Sequence, residues 1–197
     1  MKNNGKIYIF SDFHMGNRGK SDKFIENEGY LLNLLDKIIS EKDSMVVLNG
    51  DIIDIYKSNL ENIINSYEKI FEKFKLLYDM HKLFYIKGDY DNLEKVNNIL
   101  TCDSIVIDNQ YIKIFITHGH RQSNIYNKNL TIDNLSNENK YIGDKILEIG
   151  DYDLYIFGHS HAQEEIIKNK LYNIGCLENG HKEYVIIESD NINLIND

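Results

Sequence analysis

The sequence predicts an α/β fold with more than one β-sheet. Strand and helix patterns alternate over the first hundred residues, and strand patterns dominate after that. The apolar runs read as strands repeatedly close on clusters of Asp, His and Gly, the residue types that gather past strand C-termini in α/β domains.

Lys6 to Ser11 is β-branched or aromatic and reads as a buried first strand. Lys23 to Ile39 has helical spacing through Phe24, Leu31, Leu34, Leu35 and Ile38. Met45 to Leu48 is a short apolar run of the parallel-sheet kind. Leu60 to His81 predicts one long amphipathic helix, with Ile63, Tyr67, Ile70, Phe74 and Leu77 on a face. Leu83 to Ile86 is a third strand, and Asn92 to Leu100 a short helix. Ser104 to Ile107 and Tyr111 to Thr117 read as strands joined at Asp108-Asn109. Tyr141 to Ile149 has a helical pattern, and Leu154 to Phe157, Glu164 to Ile167, Lys170 to Asn173 and Tyr184 to Glu188 complete the strands.

The 197 residues fit a single domain over 1–197, with a polar insertion around 121–150 whose Asn-rich part, Ser123 to Asn139, is the candidate mobile segment. At this size a chain buries roughly two-thirds of its unfolded surface without needing disulfides. A net charge of −9 argues against non-specific nucleic-acid or anionic-membrane binding. No apolar run approaches the roughly 18 residues of a membrane span. Met1 to Phe10 carries no secretory pattern, which makes cytoplasmic residence the expectation. Cys102 and Cys176 match no zinc spacing and read as reduced thiols, Cys176 as a buried structural one near the site rim. The absence of Pro has no functional reading; abundant Ile, Asn, Lys and Tyr point to AT-rich codons.

The chemistry concentrates in five motifs. They are Ser11-Asp12-Phe13-His14, Gly50-Asp51-Ile52-Ile53-Asp54, Gly88-Asp89-Tyr90-Asp91, Thr117-His118-Gly119-His120 and Gly158-His159-Ser160-His161. Five of the seven His fall in them; His81 and His181 read as surface or helix-end residues. Carboxylate and imidazole donors together suit Mn, Fe, Zn or Ni. In Asp12-x-His14 and His159-x-His161, an extended chain would point both donors the same way.

In this order the motifs resemble those of the calcineurin-like metallophosphoesterases, from Lys6 to about Glu188. Small phosphodiesterases and pyrophosphatases of nucleotide-sugar lipids are the most similar branches, the latter through Ser11 to Gly16. The resemblance implies a four-layer αββα sandwich of two mixed β-sheets flanked by helices, with two divalent ions about 3.5 to 4 Å apart. By position, one ion would take Asp12, His14 and His161, the other Asp89, His118 and His159, with Asp51 bridging. Asp54 would orient the site from behind, and His120 would face phosphate or support the ligands. The implied activity is hydrolysis of a small phosphorylated substrate by in-line attack of a metal-bridging hydroxide, with Mn the leading ion. Homo-oligomerisation stays open.

Two departures bear on mechanism. Asp89 stands where the family has Asn, so two divalent ions with Asp12, Asp51 and Asp89 leave a formal charge near +1 instead of +2. Tyr90 stands where the family has a His that assists the leaving group; a phenol can donate a proton or a hydrogen bond, or simply pack. The loss matters most for alkoxide leaving groups, so phosphodiesters or phosphoanhydrides are expected over alkyl monoesters. The chain's two Arg, Arg18 and Arg121, each follow a motif closely and are candidates for bidentate phosphate binding, with Asn17 and Asn49 as neighbouring hydrogen-bond donors. The alternatives are a pyrophosphatase of the UDP-diacylglucosamine type, for which the polar Ser123 to Asn139 segment lacks a membrane-facing character, and a catalytically weakened protein-binding scaffold.

Overall fold

Ile7–Phe10 form strand β1, and their side chains divide between two cores. Tyr8 and Phe10 face a helical layer, while Ile7 and Ile9 face a second sheet, so every position of the strand is apolar. The same division runs through β2 (Met45–Asn49): Val46 and Leu48 join the first core, Met45 and Val47 the second. These are features of a computed structural model that describes residues 5–123 and 132–197.

Helix α1 (Glu28–Ser40), α2 (Leu60–Ser66) and α3 (Glu68–Asp79) cover the first sheet, which also holds β3 (Leu83–Ile86), β4 (Lys95–Val96) and β5 (Ile99–Cys102). The second sheet is built from β6 (Ser104–Asp108), β7 (Lys113–Thr117), β8 (Leu154–Phe157), β9 (Glu164–Ile167) and β10 (Leu171–Asn173). Between β7 and β8 runs α4 (Ile132–Leu147), whose Ile142 and Ile146 pack on Phe115, Tyr155 and Phe157 of that sheet. The chain then returns to the first sheet as β11 (Glu183–Glu188) and β12 (Asn191–Asn196). The sheets run β12-β11-β1-β2-β3-β5-β4 and β6-β7-β8-β10-β9. Helices, seven strands, five strands and α4 make the expected αββα sandwich of two mixed sheets.

Several elements differ from the sequence expectation. The long helix breaks at Tyr67, which leaves helical geometry at φ −122° and ψ 34°. There Arg18 Nε donates to the Ser66 carbonyl at 2.8 Å and the Tyr67 hydroxyl to Asp22 Oδ2 at 2.7 Å, contacts that compete with a continuous helix. Asn92 to Leu100 contains no helix; β4 and β5 form a hairpin turning at Asn97 and Asn98, both left-handed at φ 47° and 64°. Asn tolerates that region, and the pair fits a two-residue hairpin turn. Helix α1 starts later than expected, at Glu28, and the chain adds a strand, β12, beyond the last one expected, with Ile192, Leu194 and Ile195 among its six residues. Of the polar segment, residues 124–131 lie outside the described residues, and from Ile132 on it is helix α4. No helix among the described residues is long and apolar enough to cross a membrane.

β1, β2 and β3 are mutually parallel, as are β7, β8 and β10. The first three motifs therefore leave one sheet, and the last two leave the other, toward a shared crevice.

Candidate metal centre

The crevice begins where β1 ends. Phe13 is fully buried, stacked on Phe24 at 5.2 Å, and flanked by Asp12 and His14. Beyond the strand, His14 N donates to the Asp51 carbonyl at 2.9 Å and Met15 N to that of Ile52 at 3.0 Å, tying the first two motif turns together. Extended alternation is not what aligns these donors. Asp12, His14, Asp51, His159 and His161 all have left-handed backbones, with φ from 50° to 75°. Such φ values cost of order 1–3 kcal/mol each for non-Gly residues and persist only where surrounding structure enforces them.

Close packing supplies part of that enforcement. A Cβ on Gly88 would sit 2.0 Å from Asp51 Oδ1 and 2.4 Å from its backbone nitrogen. At Gly50 a Cβ would come within 2.5 Å of the His118 ring, and φ is +81°. Asp91 supplies more. Fully buried, it accepts from Asp51 N (3.1 Å), Ile52 N (2.8 Å), Gly88 N (2.6 Å) and the Tyr85 hydroxyl (2.7 Å). Asp91 thus orients the second motif turn. Asp54, expected to do so, accepts from Tyr56 N and Lys57 N in its own turn and pairs with Lys57 Nζ at 2.9 Å.

Seven donor residues meet in two sets. One donor atom from each of Asp51, Asp89, His118 and His159 lies within 4.8 Å of the others, and Asp12, His14 and His161 form a second such set. His118 Nδ1 donates to the Asn49 carbonyl at 2.7 Å, which leaves Nε2 as the nitrogen that faces the crevice. That nitrogen faces Asp51 Oδ2 at 3.3 Å and Asp89 Oδ1 at 3.6 Å. His159 Nδ1 lies 3.4 Å from the same Asp89 oxygen. In the other set, His161 Nδ1 faces Glu178 Oε1 at 3.0 Å, and its Nε2 faces Asp12 Oδ1 at 3.3 Å and His14 Nε2 at 3.1 Å.

These contacts fit cations. Lone pairs and carboxylate oxygens converge on common points, and Asp12 Oδ1, Asp89 Oδ1 and His118 Nε2 are buried with no hydrogen-bond partner among the described residues. Ligands at about 2.0–2.2 Å from one ion stand roughly 2.8–3.6 Å apart, from octahedral to tetrahedral geometry, and most of the distances given for the two sets fall in that range. Protonation records the same imbalance. Burial opposes charge on His118 and His161, but the carboxylates outweigh it: Asp51 and Asp12 hold His118 well above the usual imidazole range, and Asp12 with Glu178 raises His161 to about 10. His14 is pushed down to about 4 by burial and by His161.

The remaining candidates are placed less centrally. Asp51 Oδ1 accepts from Tyr90 N at 2.8 Å, and the Tyr90 ring meets His14 edge-on at 4.7 Å and Tyr56 at 5.6 Å. His120 lies 5.5 Å from the His118 ring, its Nδ1 is buried with no hydrogen-bond partner among the described residues, and burial with His118 lowers it to about 4. The Arg18 guanidinium pairs with Glu28 at 2.6 Å and lies over the Tyr67 ring, and Arg121 pairs with Asp103 at 2.8 Å. Asn17 is exposed and accepts from Gly19 N. Asn49 contributes its carbonyl, while its amide is enclosed. Cys176 is buried, which raises its thiol, and His81 and His181 are exposed. Asp91 and Glu178 are the residues that motif reasoning left without a role. Asp91 was at least visible inside the third motif; Glu178 reaches His161 across 17 residues, with no local pattern to announce it.

Solved structures share the fold at low identity. A single mutant of Vps29 from Entamoeba histolytica is 16% identical with a TM-score of 0.50, covering 98% of this chain and 99% of that one. Vacuolar protein sorting 29 from Cryptosporidium parvum is 14% identical at 0.50, over 98% and 96%. Chaetomium thermophilum Vps29 is 13% identical at 0.53, over 98% and 96%. No curated protein sequence matches significantly. The family model for calcineurin-like phosphoesterases matches residues 5–163, a span that holds all five motifs. The chain therefore belongs to the calcineurin-like phosphoesterase family.

Proposed function

We propose that the crevice holds two divalent ions and that the chain is a metal-dependent phosphoesterase acting on a small phosphorylated substrate with a phosphodiester or phosphoanhydride bond. The carrying observation is the convergence of two donor sets, one of them including Asp51, in which Asp12 Oδ1, Asp89 Oδ1 and His118 Nε2 are buried with no hydrogen-bond partner among the described residues. Bound there, two such ions, with Mn the leading candidate, supply Lewis acidity and a lowered water pKa for hydrolysis.

In this reading Asp12, His14 and His161 hold one ion and Asp89, His118 and His159 the other. Asp51 would be shared between them, and Oδ2 is the oxygen it has to offer: it lies 3.3 Å from His118 Nε2 and 3.9 Å from His14 Nε2, while Oδ1 accepts from Tyr90 N. The Asn49 carbonyl keeps the His118 proton on Nδ1, so that Nε2 stays a ligand. Tyr90 takes the leaving-group position as a hydrogen-bond donor. His120, neutral at pH 7, donates its one ring N–H to a phosphoryl oxygen. Arg18 and Arg121 are left out of substrate binding, since their contacts are with Glu28, Ser66 and Asp103.

A second reading is a catalytically weakened member that keeps the fold as a protein-binding scaffold. It is favoured by the full-length likeness to vacuolar protein sorting 29 chains and by Asp89 and Tyr90 at the third motif. One experiment separates the two: metal analysis with Mn-dependent hydrolysis of bis-p-nitrophenyl phosphate. Two ions per chain and turnover abolished by Asp51→Asn support the hydrolase; absence of turnover in the metal-loaded protein supports the scaffold.

A further inference from the structure

The two donor sets are braced by different chemistry. His118 is backed by a neutral main-chain carbonyl, Asn49 O at 2.7 Å, and is fully enclosed. His161 is backed by a carboxylate. Glu178 is 5% exposed, its Oε1 lies 3.0 Å from His161 Nδ1, and its Oε2 is buried with no partner among the described residues. Lys23 Nζ reaches the same Oε1 at 3.1 Å, which fixes the carboxylate from the far side. Glu178 sits in the turn between β10 and β11, beyond the 5–163 span that the family model matches.

A carboxylate behind an imidazole keeps the proton on the near nitrogen, makes the far nitrogen a better donor, and locks the ring. A carbonyl fixes the tautomer but adds no charge. We infer that Glu178 is a positioning residue that acts through His161 and sets the ion affinity of the Asp12–His14–His161 set alone, making the two ion positions unequal. The inference rests on reading the crevice as a two-ion centre, though not on its hydrolysing anything.

The test is calorimetric titration of the full chain with Mn2+, with Co2+ visible spectra as a second readout. Glu178→Gln keeps an acceptor and loses the charge; Glu178→Ala loses both. The expected loss at one of two sites is about 10-fold for Gln and approaches 100-fold for Ala, with the other site changed much less. That second site is an internal check on folding, which a merely structural role would move as well. In a His161→Gln background, Glu178→Gln should have no further effect on either site. The Co2+ band of one ion should weaken or shift, and the other persist. Unchanged affinities, equal losses at both sites, or an undiminished effect in the His161→Gln background would overturn the inference. Two ions bound with no turnover would sink the hydrolase reading and leave this one standing, so the two failures are distinguishable.

Discussion

Ile9 and Asp12 are three residues apart on one segment, yet they belong to regions built on opposite terms. Ile9 lies between the sheets among Val47, Ile116, Ile156 and Val185, where side chains are apolar. Asp12 and Asp51 in the crevice are as buried, but they are carboxylates, Asp12 Oδ1 has no hydrogen-bond partner among the described residues, and both stand on left-handed backbones. The inter-sheet core gains from burial; the crevice costs free energy through desolvated carboxylates and strained φ values. Strain and buried charge can be kept at the strand ends because the strands themselves are held on both faces.

Breaking either region should give opposite signatures. Asp51→Asn should remove metal-dependent turnover, while thermal unfolding of the metal-free protein should stay level or rise, since a buried carboxylate is neutralised. Ile156→Ala should do the reverse, destabilising by about 2–5 kcal/mol in urea while metal stoichiometry is retained. If Asp51→Asn lowered stability as much as the core substitution, the contrast would collapse. Gly88→Ala joins the two regions, because its Cβ meets Asp51; it should lose both ion binding and thermal stability.

A pH series sharpens the comparison. In metal-free protein, His120 is held neutral, near 4 in place of the ordinary 6.5. Its stabilising contribution is therefore full above pH 6.5 and is lost as pH falls through 6.5 toward 4. Unfolding midpoints of His120→Gln should fall less steeply than wild type over that window. His161, raised to about 10, has the opposite sign: its contribution is full below 6.5 and fades as pH climbs toward 10. The smallest effect should come from Arg121→Lys. An unchanged KM for a phosphate ester would match the engagement of Arg121 with Asp103, and a raised KM would return it to the substrate.

The convergence of the seven donors was legible because each motif closes an apolar run, and parallel strands deliver such endings to one edge. The layer order was legible for the same reason, as in β1, where all four positions are apolar. Local pattern failed wherever a distant partner decides. Tyr67 breaks a helix whose apolar spacing continues through it, because Asp22 and Arg18 arrive from another loop. Asn97-Asn98 turns a hairpin without the Gly that marks such turns. The orienting role passed from Asp54 to Asp91 through donors spread over two strand ends.

Exposure within the crevice also has a direction. The side chains of Asp12, Asp51, His14 and His118 are at most 5% exposed, whereas those of His159, His161 and Asp89 are 20%, 29% and 42% exposed. The first group is a floor laid down by the strands, and the second a rim. An ion, a chelator or a phosphate arriving from solvent would meet the rim before the floor. Exchange at this centre would thus be gated by the three residues that water already reaches, with the buried four as its fixed reference frame.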